Sequence, residues 1–300
     1  MKRIIITGAS GLVATELTIQ LLNETDACLY LLSTQPEQIQ NRYNNNSERV
    51  FCFTLSSFAQ YVEQNRDKVS FDTCIHTAFS RSTNGDLIAE SLNYQQELLS
   101  ILKKTNLKVF ANISSQSVYG TMSEPLWTES TPVEPNYLYA MGKYSSEIIT
   151  KLMLEGSDIK WTNIRLASIA SNANFLKIFI NKMLAKNPII LTTPNRTCSF
   201  LDIRDAVSGL MAMIYNIDKI TLYQYNLGSN IELSINEIAE AVVNVGYNIF
   251  DLEKVEIQIN DDGNSARVGM DSSLFQNTFN WQPKYSIEDM LVPIFRSLLK

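Results

Sequence analysis

The chain has 300 residues, 45% hydrophobic and 19% charged. That is the make-up of a globular protein able to bury a large core, in one large or two closely packed domains. A net charge of −6 disfavours nucleic acid or an anionic membrane as partner, while leaving room for a local basic pocket for a phosphate.

Met1-Lys2-Arg3 leads into a short apolar run that meets Gly8, which does not read as a secretory leader. No apolar stretch approaches membrane-spanning length. Residues 2–7 (KRIIIT) are β-branched and suit a fully buried parallel strand. The turn Gly8-Ala-Ser-Gly11-Leu-Val-Ala14 follows, then a helical pattern through Leu22. Strand, glycine turn and helix in that order is the context a dinucleotide site requires. Gly8 permits the tight turn, and Gly11 lets the backbone approach a pyrophosphate at the helix N-terminus. Gly8, Ser10, Gly11, Leu12 and Val13 are therefore candidate cofactor contacts. Ala14 stands at the third, packing position.

Residues 27–32 (ACLYLL) form a second strand. An acid near its end would bind the ribose of NAD, but the chain has Ser33-Thr34-Gln35. Hydroxyls at Ser33 and Thr34 accommodate a 2′-phosphate, so the expectation tips toward NADP, with no arginine immediately beside them. Residues 41–47 are polar and asparagine-rich and read as a loop. A third strand spans 49–53 and a helix 57–64. A fourth strand, 71–78, ends in small residues, and Thr77 and Ala78 let a cofactor lie close. A long helix covers 87–104. The fifth strand, 107–113, delivers Ser114 and Ser115 at its carboxyl end.

A loop at 120–136 holds Pro125, Pro132 and Pro135. The next helix carries Tyr139 and Lys143, four apart and so on one face. An ammonium beside a phenol lowers the phenol's pKa, and a hydroxyl from another element can share its proton. Ser115, Tyr139 and Lys143 are the candidate catalytic set. A sixth strand spans 159–164, and beyond Arg165 the rhythm loosens. Helices are expected at 172–186, 205–214, 235–245 and 287–298. Short strands are expected at 188–192, 222–227 (returning to the sheet) and 255–259.

This alternation argues an α/β protein with a Rossmann-type doubly wound parallel sheet, whose ligands bind beyond the carboxyl ends of the strands. The expected division is a dinucleotide-binding domain at 1–165, rejoined by about 197–228. A smaller C-terminal α/β substrate-binding part would comprise 166–196 and 229–300. Cys28, Cys52, Cys74 and Cys198 lack metal-type pairing, and three lie in strand-like apolar runs. They read as reduced core thiols of a cytoplasmic protein. With one histidine, His76, a zinc site or a Ser-His-Asp hydrolase has little material. The expectation is no metal and a structural His76.

Taken together, these segments resemble the extended short-chain dehydrogenase/reductase family of nucleotide-sugar epimerases, dehydratases and reductases. TGASGLVA is similar to its TGxxGxxG turn, and DTCIHTA to its DxxxHxA strand. ISSQSVYG and YAMGK match its serine strand and YxxxK helix, and the pattern selects Ser115 over Ser114 or Ser117. FLDIRDAV, YNLGS, ARVGMDSS and FNWQPKYSIED resemble its C-terminal half. The resemblance implies hydride transfer with NAD(P)(H). Tyr139 would exchange the proton on the substrate oxygen, Ser115 would hydrogen-bond that oxygen, and Lys143 would hold the nicotinamide ribose and lower the Tyr139 pKa. Gln116 and Arg267 would contact substrate, Arg267 at the diphosphate of a nucleoside-diphosphate sugar. It also implies a homodimer through helices 87–104 and 137–154.

Departures narrow the expectation. The 4,6-dehydratases carry Asp-Glu where this chain has Gln116-Ser117, which disfavours dehydration. Cys198 replaces a second diphosphate-binding arginine, with Arg196 two residues away. RLASIASN lacks the proline and the glycine-proline turn that relatives have after the arginine. Thr54 stands in for an acid at the end of the third strand. The reading is a nucleotide-sugar ketoreductase in preference to an NAD-retaining epimerase. A reductase of a non-sugar carbonyl and a cofactor-binding regulatory module without turnover are the alternatives.

Overall fold

Ile4, Ile5 and Ile6 have no exposed surface, as a strand covered on both faces demands. They belong to β1 (Arg3–Thr7). β1 pairs in parallel with β2 (Cys28–Leu32) on one side and β4 (Ser70–His76) on the other. β2 pairs in parallel with β3 (Val50–Phe53), and β4 with β5 (Asn106–Ser115). With β6 (Lys160–Leu166) and β10 (Gln224–Leu227) they form a seven-stranded sheet in the order β10-β6-β5-β4-β1-β2-β3. The crossovers are α1 (Leu12–Glu24), α2 (Pro36–Arg42), α3 (Leu55–Gln64), α4 (Gly85–Leu102) and α5 (Leu138–Leu154). This is the doubly wound parallel arrangement the sequence pattern predicts.

The computed structural model describes residues 1–65, 68–120, 126–263 and 265–299. Pro125, one of the three prolines of the 120–136 loop, lies outside the described residues. The chain divides into two compact units. The first comprises Met1–Gly120, Pro132–Arg165 and Leu210–Tyr225, the second Thr121–Thr131, Leu166–Gly209 and Asn226–Lys300.

In the first unit, Phe58, Phe71, Leu98, Leu102 and Phe110 pack between sheet and helices. A buried polar ladder sets the register of β6, β5, α5 and α4. Asn112 donates to Asn163 at 2.9 Å and accepts from Ser146 at 3.1 Å. Gln95 donates to the Ser146 carbonyl at 3.0 Å and to Thr150 at 2.8 Å. These partners satisfy groups that would be costly to bury alone.

The second unit has its own core, in which α6 (Asn174–Leu184), α8 (Ile235–Phe250) and α10 (Ile287–Leu298) contribute Phe179, Val242 and Phe295. β7 (Ser168–Ile169) and β13 (Arg267–Val268) run parallel to β9 (Thr197–Leu201), and β11 (Glu232–Ser234) antiparallel to it. β8 (Ile189–Leu191) pairs with β12 (Ile257–Ile259). α9 (Ser273–Phe279) also belongs to this unit, while α7 (Ile203–Tyr215) is divided, its residues from Leu210 belonging to the first.

Several local expectations change. The polar stretch at 41–47 is the end of α2 and a single turn at Asn44–Asn46, not a plain loop. Pro36 at the helix start, Glu37 in the first turn and Arg42 in the last make a short helix out of a polar segment. The fourth strand ends at His76, so Thr77 and Ala78 lie in the loop beyond it. Thr54 caps α3 reciprocally with Ser57. Cys28 and Cys74 are buried, whereas Cys52 and Cys198 are only partly so, because the outer parts of β3 and β9 are less covered. Among the described residues no helix is long and apolar enough to cross a membrane, and no His/Cys/Asp/Glu cluster could hold a metal ion.

Candidate active site

Gly8 has φ +65°, and a Cβ there would stand 2.8 Å from the Ala78 Cα and 3.1 Å from the Thr77 Oγ1. Glycine is thus required both by backbone conformation and by close packing. The packing brings Gly8, Thr77 and Ala78 together, three of the expected cofactor contacts. Thr7 organises the junction. Its Oγ1 accepts from the Thr77 and Ala78 amides, each at 3.2 Å, and lies 2.8 Å from His76 Nδ1. Thr77 returns a bond to the Thr7 carbonyl at 2.7 Å. His76 is buried between the Tyr94 and Phe110 rings, in the structural position the sequence suggests.

The Ala9 amide bonds the Leu32 carbonyl at 3.1 Å, tying the glycine turn to the end of β2, where Ser33 follows. Ser33 Oγ accepts from the Gln35 amide, and Thr34 is exposed. α1 begins after Gly11 with no side-chain cap. Its first amides and positive dipole end therefore suit a phosphate. Ser10, Gly11 and Leu12 are exposed around this turn, with Val13 half-buried. Ala14 is fully buried. A tight cradle, an uncapped helix start and small residues at the strand ends fit a dinucleotide.

β5 carries Ser115 to the same edge of the sheet, and α5 supplies Tyr139 and Lys143. Burial raises the Tyr139 pKa, while the Arg81 guanidinium and a hydrogen bond with Ser115 pull it back. Lys143 is buried. Its Nζ donates to the Ile113 carbonyl at 2.8 Å and sits 4.2 Å from the centre of the Phe79 ring. Burial pulls its pKa down to about 7; Glu147 opposes this and Arg81 adds to it. The sequence reading makes Lys143 the charge that lowers the Tyr139 pKa, but in the structure that influence comes from Arg81. Gln116 is buried, at the start of the single turn Gln116–Tyr119.

Phe79 meets Tyr139 edge-on, with ring centres 6.1 Å apart. A Cβ on Gly142 would be 3.0 Å from the Phe79 ring. Phe79, Arg81, Glu147 and Arg165 thus border the catalytic candidates and were not anticipated in that role. Glu147 carries a readable signal, since it lies four residues beyond Lys143. Phe79 and Arg81 carry none, because a loop delivers them. In the second unit Arg267 forms a two-pronged pair with Glu232, at 2.5 and 2.6 Å. Cys198 lies on β9, register-paired with Leu233 and Val268.

A model of the family described as NAD dependent epimerase/dehydratase matches residues 4–228. Similar relatives include UDP-glucuronic acid decarboxylase 1 of Arabidopsis thaliana, 22% identical, with 96% of this chain and 68% of that protein covered. Another is the dTDP-glucose 4,6-dehydratase of Haemophilus influenzae, 21% identical, covering 97% and 96%. The structure of UDP-glucuronic acid 4-epimerase from Bacillus cereus, in complex with UDP-glucuronic acid and NAD, aligns with a TM-score of 0.79 at 18% identity over 99% of each chain. The glycine turn, the strand order and the match over residues 4–228 agree: the chain belongs to the NAD-dependent epimerase/dehydratase family, within the extended short-chain dehydrogenases/reductases.

Proposed function

We propose that this chain transfers a hydride between NAD(P)(H) and a carbonyl or carbinol carbon of a nucleotide sugar, with Ser115, Tyr139 and Lys143 as its acid–base set. The observation that carries the reading is that β5 ends at Ser115 while α5 sets Tyr139 and the buried Lys143 one helical turn apart, with the Ser115 hydroxyl pulling the burial-raised Tyr139 pKa back down. When bound, the cofactor gives or takes the hydride. Tyr139 moves the proton at the substrate oxygen, Ser115 orients that oxygen, and Lys143 holds the nicotinamide ribose. Gly8, Ser10, Gly11, Leu12, Val13, Thr77 and Ala78 hold the rest of the dinucleotide.

Ketoreductase action with exchangeable NADPH is our preference. Ser33 and Thr34 stand where a carboxylate would select NAD. Arg42 also reaches Thr15 on α1, 3.2 Å away, within the same β–α–β segment. Gln116 and Ser117 offer no acid and base for elimination. Denaturing the purified protein and assaying the supernatant tests the preference: stoichiometric NAD release means an epimerase-type cycle instead. A thermal-shift screen with NAD, NADP and UDP, dTDP, GDP and CDP sugars tests the substrate class.

The second unit, which carries Arg267, is the substrate-binding part in this reading. Cys198 favours a second reading, a non-sugar carbonyl, because a thiol offers a diphosphate no charge. Failure of every nucleoside diphosphate to raise the melting temperature supports that alternative. Leu138, Met141, Ile148 and Leu152 are 42–76% exposed along α5. They support a homodimer, which light scattering would detect. Four free thiols fit a cytoplasmic enzyme.

A further inference from the structure

Tyr139, Lys143 and Glu147 succeed one another at four-residue intervals on α5, so they share one helix face. Glu147 is buried, and both of its oxygens are engaged. Arg165 donates to them through Nε at 3.0 Å and a terminal nitrogen at 2.8 Å. The Ser114 hydroxyl donates to the first of them at 2.5 Å. The remaining arm of Arg165 donates to the Tyr119 hydroxyl at 2.9 Å, and its guanidinium lies over the Tyr119 ring. Lys143 donates to the Ile113 carbonyl. The chain on both sides of Ser115 is therefore tied to one buried cluster: the Ile113 carbonyl by Lys143, the Ser114 hydroxyl by Glu147, and the Tyr119 hydroxyl by Arg165.

A buried ion pair is weak support for stability, since desolvation of two charges offsets most of their attraction. The cluster's position suggests a different use. Resting on the catalytic reading above, we propose that Glu147 is a positioning residue: its carboxylate clamps the backbone that carries Ser115 and stands as the counter-charge to Lys143.

The groups around Lys143 divide cleanly. Arg81, from the loop after β4, is a cation and works against the ammonium. His76 on β4 is fully buried, and the nearby ammonium further disfavours its protonation, so it brings no compensating charge. Tyr139 on the same helix is a neutral phenol at physiological pH, because burial raises its pKa. Glu147 alone among them supports the charged form of Lys143. Arg165 binds both Glu147 oxygens through one guanidinium.

Glu147→Gln keeps the shape and removes the charge. Two measurements read the outcome. The first is NMR titration of the Lys143 side chain in protein labelled with 13C-lysine, assigned with Lys143→Arg. In the wild type Lys143 titrates near neutrality, and in Glu147→Gln at least about one pH unit lower, a tenfold loss of charged form at fixed pH. The second is the pH dependence of kcat/KM. Its alkaline limb moves to lower pH by a similar amount in Glu147→Gln, activity recovers on mild acidification, and Glu147→Asp keeps the wild-type limb. Uniform loss at every pH with an unmoved limb overturns the proposal. So does a wild-type Lys143 that titrates in the ordinary lysine range of about 10.4.

The NMR arm uses no substrate, so it stands even if hydride transfer is not the reaction. Should Glu147→Gln not fold, Ser114→Ala tests the clamp separately. It leaves the charges in place, so kcat falls several-fold with the limb unmoved, and unchanged kcat overturns the clamp.

Discussion

Tyr139 is a phenol whose pKa burial raises, with the Arg81 guanidinium and the Ser115 hydroxyl pulling it back. In the proposed reduction it would be the acid that completes an alcohol, and general acid–base catalysis of this kind contributes roughly 10²- to 10⁴-fold. Tyr139→Phe should lower kcat by about that factor while leaving the Kd for NADPH, measured by fluorescence titration, unchanged. Full turnover in the variant would remove Tyr139 from the mechanism. His76 makes a different prediction. Burial, and then the Lys143 ammonium, hold its pKa down to about 3, against about 6.5 in an unfolded chain. Between those values the unfolded chain binds a proton that the native one refuses, so stability rises with pH and is lost on acidification. Unfolding free energies from urea titrations of wild type and His76→Gln from pH 4 to 7 should therefore differ in slope, by up to about 1.4 kcal/mol per pH unit. Parallel profiles would place the acid sensitivity elsewhere. The shared helix face of Tyr139 and Lys143 could be read from their spacing, whereas the choice of Ser115 came from the family resemblance. Arg81 was not legible, because its loop is set by hydroxyl turns at Ser80 and Ser82 that become readable only once folded.

Elements were legible in proportion to their burial. β1, β2 and β4 are apolar because both sheet faces are covered, and such runs stand out. α2 buries only Ile39, so little periodicity marks it. Thr54 shows how one residue supports two readings. By resemblance it occupies an acid's place at the end of the third strand; in the fold it starts α3. Its Oγ1 accepts from the Ser57 amide at 3.1 Å, while the Ser57 hydroxyl accepts from the Thr54 amide at 2.9 Å. Removing such a cap costs about 1 kcal/mol. For a domain of this size Thr54→Ala should lower Tm by roughly 2–4 °C, with Thr54→Ser restoring most of it. A Tm drop that Ser does not recover would mean the methyl's packing, rather than the cap, is what α3 loses.

At the scale of the molecule, the two units differ in how they announce themselves. The first repeats a long β–α rhythm. The second pairs strands of two to five residues around β9, too short for any period to be read; these strands exist because β9 supplies their partners. Their chemistry was equally hidden: Arg267 is held by Glu232, a partnership between strands 35 residues apart. The division makes a prediction that hydrogen exchange can resolve. A dinucleotide bound at the glycine turn should slow exchange in peptides covering 4–15 and 70–80, where Gly8, Thr77 and Ala78 meet. A nucleoside diphosphate should instead protect peptides covering β9 and β13, because Arg267 must exchange its carboxylate partner for a phosphate. Each ligand that binds only the native state also stabilises by RT ln(1 + [L]/Kd), about 2.7 kcal/mol at a hundredfold excess over Kd. The protected segments and the size of the stabilisation are therefore independent readings of one binding event. If NADPH protects only the first set and UDP, dTDP, GDP and CDP protect neither, the cofactor assignment stands and the nucleotide-sugar substrate falls.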